Sequence, residues 1–164
     1  MEIGKPRIVE RAAQPYAAVR RQVVMPFGGA IDEAMGTLFG GLEARGIQPA
    51  GAVFFKYNIV RMPELEIEFG VELAAPFAAT GDLVGGTLPA GRYAELTYLG
   101  HYDHLIEANG ALIDWARTEG LAFDMEARPD GDHFASRVEF YLNSPGEEPD
   151  PDKWRTVVAI KLRD

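Results

Sequence analysis

One order of predicted elements occurs twice along this chain, and it constrains the fold more than any other feature. The first copy begins with an extended segment from Pro6 to Val24, and a helix follows from about Ala30 to Arg45. Ala52–Val60 is rich in aromatic and β-branched residues, and Leu65–Leu73 alternates between apolar and acidic residues; both patterns are typical of strands. The first half therefore predicts the order strand, helix, strand, strand.

The second half predicts the same order. Gly91–Gly100 is strand-like, and Asp103 is a suitable N-cap for a helix that ends near Glu119. Leu121–Arg128 is extended, and further strands are predicted around Glu139 and from Arg155 to Leu162. These elements predict an α+β fold with a curved antiparallel sheet. Two units side by side are expected to leave a central cleft between them, with two helices covering the outer faces.

The length of 164 residues suits one domain over residues 1–164, with pseudo-repeats at about 6–80 and 81–164. The formal net charge of −9 argues against binding to a phosphate backbone, so we expect no direct nucleic-acid binding. No apolar run reaches the roughly 20 residues of a membrane helix, and the N-terminal residues carry charges where a signal peptide is apolar. We therefore expect a cytoplasmic protein without a membrane association.

Two alternating strands carry expectations about which side chains are buried. In Ala52–Val60, alternation places Val53, Phe55, Tyr57 and Ile59 on one face and Lys56 on the other. The face without the lysine is expected to be the interior, so Phe55 and Tyr57 are candidate pocket walls.

Glu66 and Glu68 alternate with apolar residues in the next strand. We expect both carboxylates to face water, as the polar face of an antiparallel strand does.

Glu139 is a single carboxylate among Val138, Phe140, Tyr141 and Leu142. Alternation puts Tyr141 on the same face as Glu139. Such a carboxylate either faces solvent on an edge strand or lies in a pocket, where it would pair with a cation while aromatic faces add cation–π attraction. Both alternatives are open from the residues alone.

Other chemistry has weaker support in the sequence. The absence of cysteine excludes disulfides and thiolate nucleophiles, and neither Ser136 nor Ser144 lies in a Gly-x-Ser-x-Gly setting. His101 and His104 with His133 are too few to predict a metal site, and no cofactor-binding motif is present. We expect no metal and no cofactor.

Several segments together resemble one family. Leu88–Leu96 (LPAGRYAEL) and Gly100–Leu105 (GHYDHL) are similar to its conserved turn-and-strand signature, and Glu139–Pro145 (EFYLNSP) followed by Trp154–Thr156 is similar to its C-terminal motif. Pro15–Arg20 resembles its first strand. The family is the GyrI-like effector-binding domains, related to the effector-binding domains of multidrug-responsive transcription activators.

The resemblance implies a ligand pocket between two β-α-β-β units, with Glu139 as the buried glutamate. It also adds Tyr16 and Trp154, by their positions in the matched segments, to the candidate ligand-binding residues Glu139, Tyr141, Phe55 and Tyr57. The sequence departs from the family pattern at Val157, where a second carboxylate is usual. That departure favours binding over two-acid catalysis.

The resemblance implies a stand-alone small-molecule binding protein that senses or sequesters hydrophobic cationic or aromatic compounds. One alternative is a hydrolase of strained, cyclopropane-bearing electrophilic toxins that uses the same Glu139. A further alternative is a protein that interacts with DNA gyrase through its acidic surface. The sequence leaves open whether the protein is an enzyme, and it favours binding.

Overall fold

A computed structural model describes all residues 1–164 and contains eleven β-strands and two α-helices. The strands are β1 (Glu2–Ile3), β2 (Arg7–Arg11), β3 (Gln14–Val24), β4 (Val53–Arg61), β5 (Glu64–Glu72), β6 (Leu83–Leu88), β7 (Gly91–Leu99), β8 (Met125–Arg128), β9 (Gly131–Phe134), β10 (Arg137–Tyr141) and β11 (Arg155–Lys161). The helices are α1 (Gly28–Ala44) and α2 (Leu105–Thr118).

All eleven strands belong to one antiparallel sheet, in which eight follow the order β1-β7-β11-β10-β4-β5-β3-β6. Of the other three, β2 pairs with β7, and β9 pairs with both β4 and β8. The first unit is β3, α1, β4 and β5, and the second is β7, α2, β10 and β11. The two units meet where β10 pairs with β4, and there Glu139 lies directly opposite Phe55. The predicted α+β fold with a duplicated antiparallel sheet is confirmed.

The sheet curls so that its two ends approach each other. Strands β6 and β7 lie near opposite ends of the strand order, yet only Pro89 and Ala90 connect them. The strand that precedes each unit pairs with the other unit: β2, just before the first unit, pairs with β7, and β6, just before the second unit, pairs with β3. This exchange joins the two halves into one body.

Both helices pack on the same face of the sheet, one over each unit. Helix α1 buries Ala34, Leu38 and Leu42, which recur every four residues, against a core that includes Phe69. Helix α2 buries residues including Leu112 against the second core. The strands form one continuous sheet, as predicted, and the two helices cover the same face of it and flank the cleft.

The opposite face of the sheet also carries a core, because the curled strands enclose it. Its buried residues include Tyr16, Phe54, Tyr93 and Phe140. Glu68 lies on this face with only 3% of its surface exposed, so the expectation that it faces water is wrong. Alternation correctly places Glu68 on the face opposite Ile67 and Phe69, but the curl of the sheet encloses that face in a second core.

A β-bulge in β4 corrects a second expectation from alternation. The pairing between β4 and β5 shifts between Tyr57 and Ile59, so that Ile59 lies opposite Glu66 and Val60 lies opposite Leu65. The extra residue puts Ile59 on the face opposite Tyr57, because a bulge changes the side-chain alternation by one position. Val60 takes the place predicted for Ile59.

Neither helix combines the length and apolar character that a bilayer-spanning segment needs.

Candidate ligand-binding cleft

Glu139 lies on the floor of the cleft, where β10 meets β4, and only 5% of its surface is exposed. Its Oε1 accepts hydrogen bonds from the hydroxyls of Tyr57 and Tyr141, each at 2.7 Å. Its Oε2 accepts one from the Asn109 amide at 2.9 Å. A carboxylate offers about four acceptor positions, so three are occupied and Oε2 can accept one further donor. The arrangement holds an anion in place without a direct ion pair.

The two tyrosines act as fixed donors. Burial raises the pKa of both the Tyr57 and the Tyr141 hydroxyl well above the ordinary value, and the nearby Glu139 carboxylate raises both further. Both hydroxyls therefore keep their protons at neutral pH. Tyr141 also packs against the cores of both units, which fixes its ring at the junction of the two halves.

The cleft between α1 and α2 has a volume of about 1470 Å³. Aromatic rings form a continuous wall beside Glu139: Phe55 meets Tyr141 with ring centroids 4.7 Å apart, and Tyr141 meets Tyr102 at 5.4 Å. Three of the five methionines of the chain, Met25, Met35 and Met62, line the same cleft. Methionine side chains are flexible and polarizable, so this wall can adapt to ligands of different shape.

The structure brings four of the six predicted site residues together and leaves two outside. Glu139, Tyr141, Phe55 and Tyr57 line the cleft, whereas Tyr16 lies on the opposite face, where its hydroxyl donates to Glu68 at 2.7 Å. Tyr16 does not line the cleft because its side chain points from β3 into the enclosed core.

Trp154 lies behind the cleft wall. Its ring stacks on Tyr102 with centroids 4.6 Å apart, and its indole N–H donates to the Glu148 carbonyl. Trp154 therefore supports Tyr102, which itself lines the cleft.

Sequence reasoning missed Asn109, Tyr102 and Arg137, all of which line the cleft. Asn109 lies in α2 one turn after Leu105 and one turn before Ile113. The sequence signal for Asn109 is that it is the one amide side chain in the otherwise apolar stripe of α2. Arg137 precedes Glu139 by two residues, so strand alternation already places it on the cleft face.

No three or more His, Asp and Glu side chains come together in the structure as the ligands of a metal ion would.

The fold and this cleft define a small-molecule binding domain. The family model described as the GyrI-like small molecule binding domain matches residues 4–163, and the chain belongs to that family. No curated protein matches the chain significantly.

Solved structures share the fold at low sequence identity. The EcmrR C-terminal domain is 16% identical with a TM-score of 0.79, and the match covers 100% of this chain and 99% of that one. The chain spans only 57% of EcmrR in its complex with DNA, where the match covers 98% of this chain at 14% identity with a TM-score of 0.77.

Two further structures differ in what they are described as doing. SAV2435 bound to tetraphenylphosphonium is 10% identical with a TM-score of 0.57, and the match covers 99% of this chain and 94% of that one. A hydrolase from Listeria innocua is 14% identical with a TM-score of 0.62, covering 97% and 92% respectively. These likenesses establish the fold alone.

Filling the cleft from α2 provides a steric test of the site. Gly110 lines the cleft, and a Cβ added there meets no atom within 4 Å. We expect Gly110→Leu to fold, because leucine favours a helix more than glycine by up to about 1 kcal/mol, and to weaken ligand binding by occupying the cleft. Gly36→Leu in α1 is the matched control, since Gly36 also has open space around it but does not line the cleft. Ligand titration and thermal unfolding of both variants check this; equal binding by the two variants would contradict the site.

Proposed function

We propose that the cleft binds hydrophobic cations, and that Glu139 is the charge that selects them. The observation that carries the proposal is a buried carboxylate, held by two tyrosines and an asparagine, at the floor of a large aromatic and methionine-lined cleft. An organic cation entering this cleft loses its hydration, and a preorganised anion with adjacent aromatic faces replaces it. A neutral ligand of the same shape gains only the apolar contacts.

The charge around the cleft supports the same class of ligand. Asp32, Asp103 and Glu147 line the mouth and are exposed, and the chain as a whole has a formal net charge of −9. Such a mouth attracts cations and repels anions before they reach the deeper carboxylate. We expect association with a cation to slow as salt is added, because these exposed charges are screened.

The size of the cleft favours a range of ligands over one tightly matched compound. Its volume of about 1470 Å³ exceeds the ~300–1000 Å³ that is usual for a small-molecule site. Together with the flexible methionines, this room lets several cationic aromatic compounds use the same carboxylate. A role in sensing or sequestering such compounds follows from this breadth.

The hydrogen bonds to Glu139 favour binding over hydrolysis. The bonds from Tyr57, Tyr141 and Asn109 occupy three of the about four acceptor positions of the Glu139 carboxylate. A general base must accept a proton from its substrate or from water, and only one position, on Oε2, is left for that contact. Incubating a strained cyclopropane-bearing electrophile with sub-stoichiometric protein decides between the two: multiple turnovers that Glu139→Gln abolishes would establish the hydrolase.

Interaction with DNA gyrase stays a prediction from the family resemblance. A supercoiling assay with and without the purified protein tests it.

Charge selectivity is the direct test of the proposed function. Tetraphenylphosphonium and neutral triphenylphosphine oxide share a triphenylphosphorus body, and the oxide has an oxygen in place of the fourth ring and no net charge. We expect the cation to bind more tightly by roughly tenfold or more, because a close buried charge pair contributes at least about 1.5 kcal/mol. Isothermal titration calorimetry at two salt concentrations measures both affinities. Equal affinity for the two compounds would refute a role for charge and leave only an apolar cleft.

A further inference from the structure

Arg137 separates the cleft from a second, smaller pocket. It lies on β10 two residues before Glu139 and contributes to the walls of both spaces, as does Ile113 of α2. The smaller pocket has a volume of about 420 Å³ and lies between the second half of α2 and the β8–β9 hairpin. Its other lining residues are Arg117, Leu121, Phe123, Met125, Asp132 and Phe134.

The guanidinium of Arg137 has little to compensate its charge. It forms no salt bridge, and its one side-chain hydrogen bond is a long one of 3.4 Å to the Asn109 amide oxygen. Its flat face lies over the Phe134 ring, 4.9 Å from the centroid. Because a guanidinium has five N–H donors, most of them have no protein acceptor.

The charged groups around Arg137 do not take the place of a partner. Glu139 already accepts three hydrogen bonds from other residues, and it attracts Arg137 only through space. Asp132 acts on it in the same way, without contact. Arg117 also lines the smaller pocket, but it is exposed and pairs with Asp114 at 3.6 Å. Burial lowers the pKa of Arg137, which is the direction expected for a half-buried cation that has lost part of its water without gaining an ion pair.

A mainly apolar pocket that is lined by a guanidinium without a salt-bridge partner fits one kind of ligand. Apolar or aromatic side chains make up five of its eight lining residues, and they suit a small ring or a short chain. A planar guanidinium binds a carboxylate through two parallel hydrogen bonds. We propose that the smaller pocket is a second binding site, which takes a small aromatic or aliphatic carboxylate whose charged end contacts Arg137.

The two sites are then coupled through Arg137. With the smaller pocket empty, the positive charge of Arg137 opposes a cation beside Glu139. A carboxylate bound at Arg137 cancels that charge, so it strengthens cation binding in the cleft. Linkage requires the reciprocal effect of the same size, in which a bound cation strengthens carboxylate binding.

The carboxylate site is tested without any cation present, so that its failure is distinct from failure of the proposed function. Naphthalene-1-carboxylate is compared with the uncharged naphthalene-1-methanol by calorimetry. We expect the carboxylate to bind more tightly by roughly tenfold, as for hydrogen bonds that involve charged groups. Arg137→Gln is expected to remove that preference. Arg155→Gln, an exposed arginine outside both pockets, is expected to retain it.

A second variant and a coupling measurement complete the test. Asp132→Asn removes a competing negative charge from the pocket and is expected to tighten carboxylate binding severalfold. Saturating naphthalene-1-carboxylate is expected to increase the affinity for tetraphenylphosphonium, and Arg137→Gln alone is expected to do the same. The proposal is overturned if the carboxylate binds no better than the alcohol, if Arg137→Gln leaves the preference intact, or if the carboxylate and the cation compete.

Discussion

Glu139→Gln is expected to weaken the binding of tetraphenylphosphonium by roughly 10- to 100-fold and to leave the binding of triphenylphosphine oxide nearly unchanged. Glutamine has almost the shape of glutamate and keeps an oxygen that can accept from both Tyr57 and Tyr141. Its amide nitrogen replaces Oε2 and no longer accepts from Asn109, whose amide is held by the Leu105 carbonyl and by Arg137. The substitution therefore removes the charge of the site at the cost of one hydrogen bond and with little change in the shape of the cleft.

Glu68→Gln is the matched control for this effect. Glu68 is a comparably buried carboxylate, and a tyrosine hydroxyl also donates to it, but it faces the enclosed core on the other side of the sheet. We expect this variant to bind tetraphenylphosphonium as the unchanged protein does. Calorimetry on both variants, with thermal unfolding to confirm that each is folded, measures the difference. Similar losses in the two variants would show that binding follows general stability and not the charge of Glu139.

Glu68→Ala is expected to lower the free energy of unfolding by about 3–5 kcal/mol, a large effect for one side chain. Glu68 accepts hydrogen bonds from Tyr16 and Asn58, and the charged ends of Lys56 and Arg20 each lie 3.8 Å from its Oε2. Removing the carboxylate leaves the buried Tyr16 hydroxyl without its acceptor and leaves the Lys56 ammonium with the Asn58 amide oxygen but no opposite charge. Urea denaturation at neutral pH measures the loss.

The loss is expected to depend on pH, with a sign set by Lys56. Burial lowers the pKa of Lys56 below its ordinary value, and the attraction of Glu68 partly offsets that effect. Without Glu68 the folded-state pKa of Lys56 falls further. At pH values between that lower pKa and the ordinary value of 10.5, Lys56 is deprotonated in the folded variant but protonated in the unfolded chain. Because the unfolded state then binds more protons, the free energy of unfolding of the variant rises with pH in this interval.

The Glu68→Ala variant should therefore be least stable at the lower end of this interval and recover part of its stability as the pH rises toward 10. Lys56→Met combined with Glu68→Ala provides the check on this account, because the double variant has no buried ammonium to deprotonate. Its free energy of unfolding should vary less with pH in this range than that of the single variant. An equal pH dependence in the single and double variants would rule out Lys56 as the cause.

Element type and order were predictable from the sequence because local patterns encode them. The spacing of Ile31, Met35 and Leu38 predicted α1, and the aromatic run of Ala52–Val60 predicted β4, each within two residues of its observed ends. Alternation also correctly placed Glu139 and Tyr141 on one face of the sheet and Phe140 on the opposite face. These properties depend on residues close together in the chain.

The errors arose where burial depends on distant parts of the chain. Glu68 alternates as a solvent-facing residue does, and only the curl of the sheet encloses its face. Ile59 changed sides because of a bulge that no composition signal marked. Tyr16 was grouped with Glu139 through its motif, yet the two residues lie on opposite faces.

The sequence by itself determined that the chain is a duplicated α+β domain with one carboxylate in a strand of apolar and aromatic residues, because periodicity and turn residues act over short distances. Only the tertiary structure decided which carboxylate faces a cavity. Glu139 and Glu68 are both buried and both accept a tyrosine hydroxyl, and they differ in what lies in front of them: a cleft between two helices, or a closed core. That difference is set by the pairing of β10 with β4 and by the curl of the whole sheet, which bring together residues more than eighty positions apart in the chain.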